Sequence, residues 1–174
     1  AGMKSLVHFH GEDILCQRFF SLNSFLEMSH SKNRVRTQTL KDNADFFTTA
    51  KSLGLCRWSV AFTKWMNLED LAEGFYLATG LRTTVRALKK TGERVFNLQR
   101  AFNNLQGLNS KDDVFSAKLV PFIEKRFKKD VGSIRKEYYA ARGWDPKTGI
   151  PARKKLEELG LSGAAKELSK LKNR

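Results

Sequence analysis

Gly92-Glu-Arg-Val-Phe-Asn-Leu-Gln-Arg-Ala-Phe-Asn-Asn-Leu-Gln-Gly-Leu-Asn-Ser-Lys-Asp-Asp113 is the stretch on which the fold turns. Val95, Leu98, Phe102 and Leu105 follow one another at spacings of three, four and three, which is one face of an α-helix. Phe96 lies outside that row and widens the apolar surface. Glu93, Arg94, Asn97, Arg100, Asn103 and Asn104 fill the places between. The stretch therefore predicts the back half of a long core helix, with its apolar row inward and its polar back in water. Gly107 supplies a C-terminal stop, and Lys111-Asp112-Asp113 opens a polar loop. Gly92 in mid-helix costs about 1 kcal/mol relative to Ala, so its expected use is the close approach of another backbone.

Working outward, Thr83 is the expected cap of this helix. Before it, Asn67 with Asp70 three residues on has the form of a capping box. Leu68, Leu71, Ala72, Phe75 and Ala78 then make a helical stripe that Gly80 ends. Asp42–Ala50 reads as a short helix leading into Lys51-Ser-Leu-Gly-Leu-Cys56, with Gly54 at a bend of positive φ. Residues 29–41 are polar and basic and read as a loop. Ile14, Leu15, Phe19, Leu22, Phe25 and Leu26 place a helix over residues 12–28, with Cys16 buried on it, and residues 3–11 read as a strand or extended arm. Downstream, Pro121 starts or interrupts a helix that carries Phe122, Ile123 and Phe127. Val131, Ile134 and Tyr138 mark the next helix. Arg142 through Pro151 is a turn by composition. Pro151 stands where a first helical residue belongs, Gly160 where a stop belongs, and Ser162 caps a last helix.

A chain of 174 residues with 41% apolar residues and 13 Phe can bury a real core. With only three Pro and few β-branched runs, it reads as all-α: an irregular orthogonal array of about seven helices. The net charge is +14, concentrated beyond residue 50, which fits an acidic partner, nucleic acid or an anionic cofactor, and fits a solvated basic surface equally well. Cys16 and Cys56 form no Cys-x-x-Cys, so neither a disulfide framework nor a self-contained zinc site is expected, and a reducing cytoplasm is the expected setting. No apolar run approaches a membrane span. His8, His10 and His30 show no ligand spacing. No P-loop, dinucleotide fingerprint or Gly-x-Ser-x-Gly is present.

Several motifs in consistent order carry a family resemblance. Ala78-Thr79-Gly80, Gly92 through Asn103, and Asp112-Asp113 resemble the C-terminal region of the tungsten-containing aldehyde ferredoxin oxidoreductases. So do Tyr138-Tyr-Ala-Ala-Arg-Gly-Trp-Asp145, Gly149-Ile-Pro151 and Leu159-Gly-Leu161. Upstream, Ser52-Leu-Gly-Leu-Cys56 is similar to that family's Asp-x-x-Gly-Leu-Cys segment. The likeness runs from about Asp42 to Leu171 and divides the chain into an arm, helix and basic loop at 1–41 and a helical family domain at 42–174.

The resemblance implies an all-α domain of an enzyme that oxidises aldehydes to carboxylic acids and passes the electrons to ferredoxin. It implies a tungsten (or molybdenum) bis-pterin and a 4Fe–4S cluster in the full-length family. Cys56 takes the place of the fourth cluster ligand, and Gly54 and Leu55 lie on the pterin side. Lys51 stands where the family has Asp, which exchanges an acceptor for a donor. The Cys-x-x-Cys-x-x-x-Cys group and the N-terminal cofactor-binding domains have no counterpart in this chain. It is therefore expected to bind no cofactor and to be inactive alone, with the missing domains or a separate subunit as partner. The alternative is a stand-alone basic helical module that has kept the fold, lost the redox site and binds an acidic protein or nucleic acid.

Overall fold

The computed structural model describes residues 37–56, 60, 66–115 and 117–171. The expected arm, the expected helix over residues 12–28 with Cys16, and the three histidines fall outside the described residues. Those residues hold seven helices: α1 (Thr37–Ser52), α2 (Leu68–Thr79), α3 (Val85–Leu105), α4 (Val120–Phe127), α5 (Val131–Arg142), α6 (Arg153–Glu158) and α7 (Ser162–Leu171). Among them there is no strand, and Trp144 and Pro151 form an isolated antiparallel bridge. The fold is all-α, as the composition predicts. No helix of the described residues is long and apolar enough to cross a membrane.

Local chemistry sets most boundaries. Asn67 accepts from the Asp70 amide while Asp70 accepts from the Asn67 amide, the reciprocal capping box. Gly80 closes α2 in the left-handed region at φ 73°. α3 ends in a Schellman turn: the Gly107 amide bonds the Asn104 carbonyl, and the Leu108 amide bonds that of Asn103. Several boundaries differ from expectation. Thr84, not Thr83, caps α3, because its side chain is the one that reaches the Ala87 amide. α1 begins at Thr37, inside the expected loop, because Leu40 is buried in phase with Ala44 and extends the helical face. Pro151 is held in the bridge to Trp144, so α6 starts only after Ala152.

α3 is the strut of the molecule, about 30 Å long at 1.5 Å per residue. It contributes to three apolar clusters in turn. Leu88 packs with Ala50, Val60 and Leu71 near the start of α2. Phe96 packs with Leu40, Ala44, Ile123, Phe127, Ile134, Tyr138, Tyr139 and Trp144, joining α1, α4 and α5. Ala101 packs with Leu156, Ala165 and Leu168 of α6 and α7. α1 crosses α3 at Gly92. A Cβ there would collide with the Asp45 carbonyl oxygen and Thr49 Oγ1, and would lie 2.9 Å from the Asp45 carbonyl carbon. The glycine is what lets the two backbones meet.

The back half of α3 is turned opposite to the sequence expectation. Leu98, Phe102 and Leu105 are 46%, 39% and 36% exposed. Phe96, Asn97, Arg100, Asn103 and Asn104 are buried. The apolar residues outside the row, Phe96 and Ala101, are the buried ones, and Phe96 enters the largest cluster.

Candidate functional site

Two regions carry the residues singled out by sequence: the rim at 51–56 and the polar face of α3. Lys51 is exposed in the last turn of α1, where the helix dipole favours a cation. The chain then turns. The Gly54 amide bonds the Lys51 carbonyl, the Leu55 amide bonds that of Ala50, and Gly54 has φ 82°. Leu53 and Leu55 pack into the cluster of Ala50, Val60, Leu71 and Leu88. Cys56 follows with its side chain exposed. The backbone is thus anchored inward while the thiol stands at the surface. Among the described residues, no three His, Cys, Asp or Glu side chains come together as a metal site.

The polar face of α3 works inward and holds three loops. Arg100 donates both terminal nitrogens to Asp113, at 2.8 and 2.6 Å, and its Nε to the Gly149 carbonyl at 2.9 Å. Its guanidinium also lies over the Trp144 ring, 4.7 Å from the centroid. Tyr139 donates its hydroxyl to the same Asp113 carboxylate. Burial, with that carboxylate beside it, pushes the Tyr139 phenol far above its ordinary pKa. Asn97 accepts from Trp144 Nε1 at 2.8 Å, and Arg94 Nε donates to the Leu159 carbonyl at 2.7 Å. The expected polar loop is present with Lys111 at the surface, while Asp113, only 2% exposed, is a buried ligand of Arg100.

These polar groups, placed in water by the sequence reading, are bonded internally instead: their partners are at residues 113, 144, 149 and 159, and none of these bonds runs to the loop that bears Cys56. The Cys56 segment is held by its own leucines and by Thr49, whose Oγ1 donates to the Leu88 carbonyl at 3.1 Å.

A second buried charge was not visible in the sequence. Arg142, expected in a turn, closes α5 at 0% exposure. It pairs with Asp45, donates Nε to Tyr138 Oη at 3.0 Å, and lies 3.9 Å over the Phe96 ring. Asp45 also receives Lys41 at 2.9 Å. Glu93 pairs with Lys41 at 3.4 Å and Lys155 at 3.3 Å. Partial burial raises the Glu93 carboxyl, but the two lysines outweigh that and hold it below the usual carboxylate range. Lys41, Asp45 and Glu93 also line an open cleft between α1, α2 and α3, but there each is held in an ion pair with a neighbour, while Arg142 and Tyr138 are buried behind them. They are the internal bracing of the fold.

Comparison with known proteins agrees with this architecture. Residues 8–161 match the family model for aldehyde ferredoxin oxidoreductase, domains 2 and 3. Over 124 residues the chain is 31% identical to the tungsten-containing aldehyde ferredoxin oxidoreductase of Pyrococcus furiosus, covering 68% of this chain and 20% of that protein. The protein of the same name from Thermococcus kodakarensis is 30% identical over 124 residues, with the same coverage. That of Pyrococcus abyssi is 31% identical over 123 residues, 67% of this chain and 20% of its own. The chain thus spans about a fifth of the length of these curated relatives. No solved structure gives a significant match. With most of its length matched and its α3, Asp112-Asp113 and Arg142–Asp145 motifs built into one braced helical unit, the chain belongs to the aldehyde ferredoxin oxidoreductase family.

Proposed function

We propose that this chain is the helical C-terminal unit of an aldehyde ferredoxin oxidoreductase and works only with a cofactor-bearing part carried elsewhere. The observation that supports this best is the Cys56 rim: one exposed thiol, on a backbone fixed by buried leucines, in a chain of this family. A 4Fe–4S cluster takes four thiolates, and the whole chain has two cysteines. Its donors fit one corner of a cluster and not a whole one. In the complete enzyme the tungsten pterin and the cluster supply aldehyde oxidation to the acid and electron passage to ferredoxin, in a cytoplasmic setting. On this reading Cys56 offers the fourth cluster thiolate, while Gly54 and Leu55 set the backbone beside a pterin. Lys51 contributes an ammonium donor in place of the family carboxylate, which suits a cofactor phosphate or carbonyl and not an amine.

Cys56→Ser tests the assignment in the natural assembly, prepared without oxygen. The variant is expected to keep its helical circular dichroism, because the thiol is exposed, and to lose or alter the cluster's visible absorbance and paramagnetic signal. An unchanged cluster in the variant, or a complete cluster on the chain by itself, ends the assignment.

A stand-alone binding module is the second reading, favoured by the outer side of α4. Lys118, Lys125 and Lys128 are exposed on and beside this helix, as are Leu119 and Phe122, each 39% exposed. Exposed cations and apolar groups in one short segment fit an acidic protein or a nucleic-acid strand. If that reading holds, affinity for duplex or single-stranded DNA, or for an acidic protein, falls steeply as salt rises. Absence of binding at low salt removes it.

A further inference from the structure

We infer that the outer stripe of α3, formed by Leu98, Phe102 and Leu105, is the seat of the cofactor-bearing part of the enzyme; this rests on the reading of the chain as one unit of a larger oxidoreductase. The three side chains share one helix face and are 46%, 39% and 36% exposed. A row of large apolar groups in water is uncommon on a protein that acts alone. The stripe also cannot be hidden by rolling α3. The opposite side is pinned by Arg100 to Asp113 and Gly149, and by Asn97 to Trp144. Each of those bonds is buried, and breaking it would leave a polar group unsatisfied. The outward direction is therefore fixed by the fold.

The chemistry of the stripe says what covers it. No charged side chain lies within the row. Of the cations in the same stretch of helix, Arg100 points to the opposite side, onto Asp113, and Arg94, one turn before the row, directs its Nε to the Leu159 carbonyl. Such a face does not select nucleic acid or an acidic peptide. It selects an apolar protein surface that stays in place, as obligate interfaces do. The relatives supply the candidate: this chain covers only 20% of their length, so four fifths of a family enzyme lies outside it. A second copy of the chain and its own residues 1–36 are the competing occupants.

The test is photocrosslinking in the natural host, with benzoylphenylalanine in place of Phe102 and, as control, in place of exposed Lys166 on α7. Tungsten and iron are assayed on the same assembly. The expected result is a crosslink from position 102 to the metal-bearing polypeptide, about tenfold or more above the control. In parallel, the double variant Leu98→Asp, Phe102→Asp should keep its helicity and retain the metal-bearing polypeptide about tenfold less well. Crosslinking of position 102 to a second copy, to residues 1–36, or at the control level overturns the inference. If metals and their polypeptide still accompany the chain in that case, the functional reading stands and only the docking face is wrong. If no metal-bearing polypeptide accompanies it, both fall.

Discussion

Asp113→Ala is expected to destabilise the fold by about 3–5 kcal/mol, because it leaves the Arg100 guanidinium buried without its counter-charge. Arg100 spends both terminal nitrogens on Asp113, and its Nε on Gly149. Tyr139 loses its acceptor in the same step. Nothing nearby can replace a carboxylate that is 2% exposed. The loop from Leu108 to Asp113, which Arg135 also holds through the Ser110 carbonyl at 3.0 Å, should detach from α5. For a chain of this size the loss corresponds to a fall in melting temperature on the order of 10 °C. Asp113→Asn keeps one acceptor and should cost less. A shift of under about 1 kcal/mol in chemical denaturation, the range of an exposed ion pair, would show that this pair does not brace the fold.

Gly92→Ala should be nearly as damaging, against the ordinary preference of helices. In an open helix the exchange gains about 1 kcal/mol. Here the new methyl meets the Asp45 carbonyl and Thr49 Oγ1, and the carbonyl belongs to the backbone of α1 and cannot rotate away. α1 and α3 must separate, which loosens Thr49 from the Leu88 carbonyl and tilts Asp45 from Arg142. A net loss of about 1–3 kcal/mol follows. Gly74→Ala in α2 is the matched control. Its Cβ would meet nothing within 4 Å, so it should gain up to about 1 kcal/mol. Urea denaturation of the two variants side by side decides the point. Equal effects would mean that the helix crossing is not as close as described.

The role of Gly92 was legible in the sequence because a mid-helix glycine costs propensity and needs a reason. The capping box at Asn67, the stops at Gly80, Gly107 and Gly160, and Pro121 in the first turn of α4 were legible on the same footing, since each is a local rule of backbone chemistry. The direction of α3 was not. Periodicity shows that Leu98, Phe102 and Leu105 share a face, but it does not say which neighbour covers that face. Burial of Asn97 and Arg100 depends on Trp144, Gly149 and Asp113, which only the tertiary fold brings within reach. Arg142 was misplaced for a related reason. Composition makes Arg142–Pro151 a turn, yet the arginine itself completes α5 because Asp45, nearly a hundred residues earlier, waits to receive it. The bend at Gly54 was legible as well, since the glycine takes the positive φ expected of it. What anchors the segment was not: Leu53 and Leu55 pack into the cluster around Leu88, which only the tertiary fold brings beside them.

The orientation of α3 is the claim on which the bracing network and the docking face both depend, and hydroxyl-radical footprinting of the 174-residue chain by mass spectrometry tests it most directly. The fold predicts fast oxidation of Leu98, Phe102 and Leu105, with Phe96, Tyr139 and Trp144 protected. Protection of Leu98 and Phe102 together with oxidation of Phe96 would contradict it.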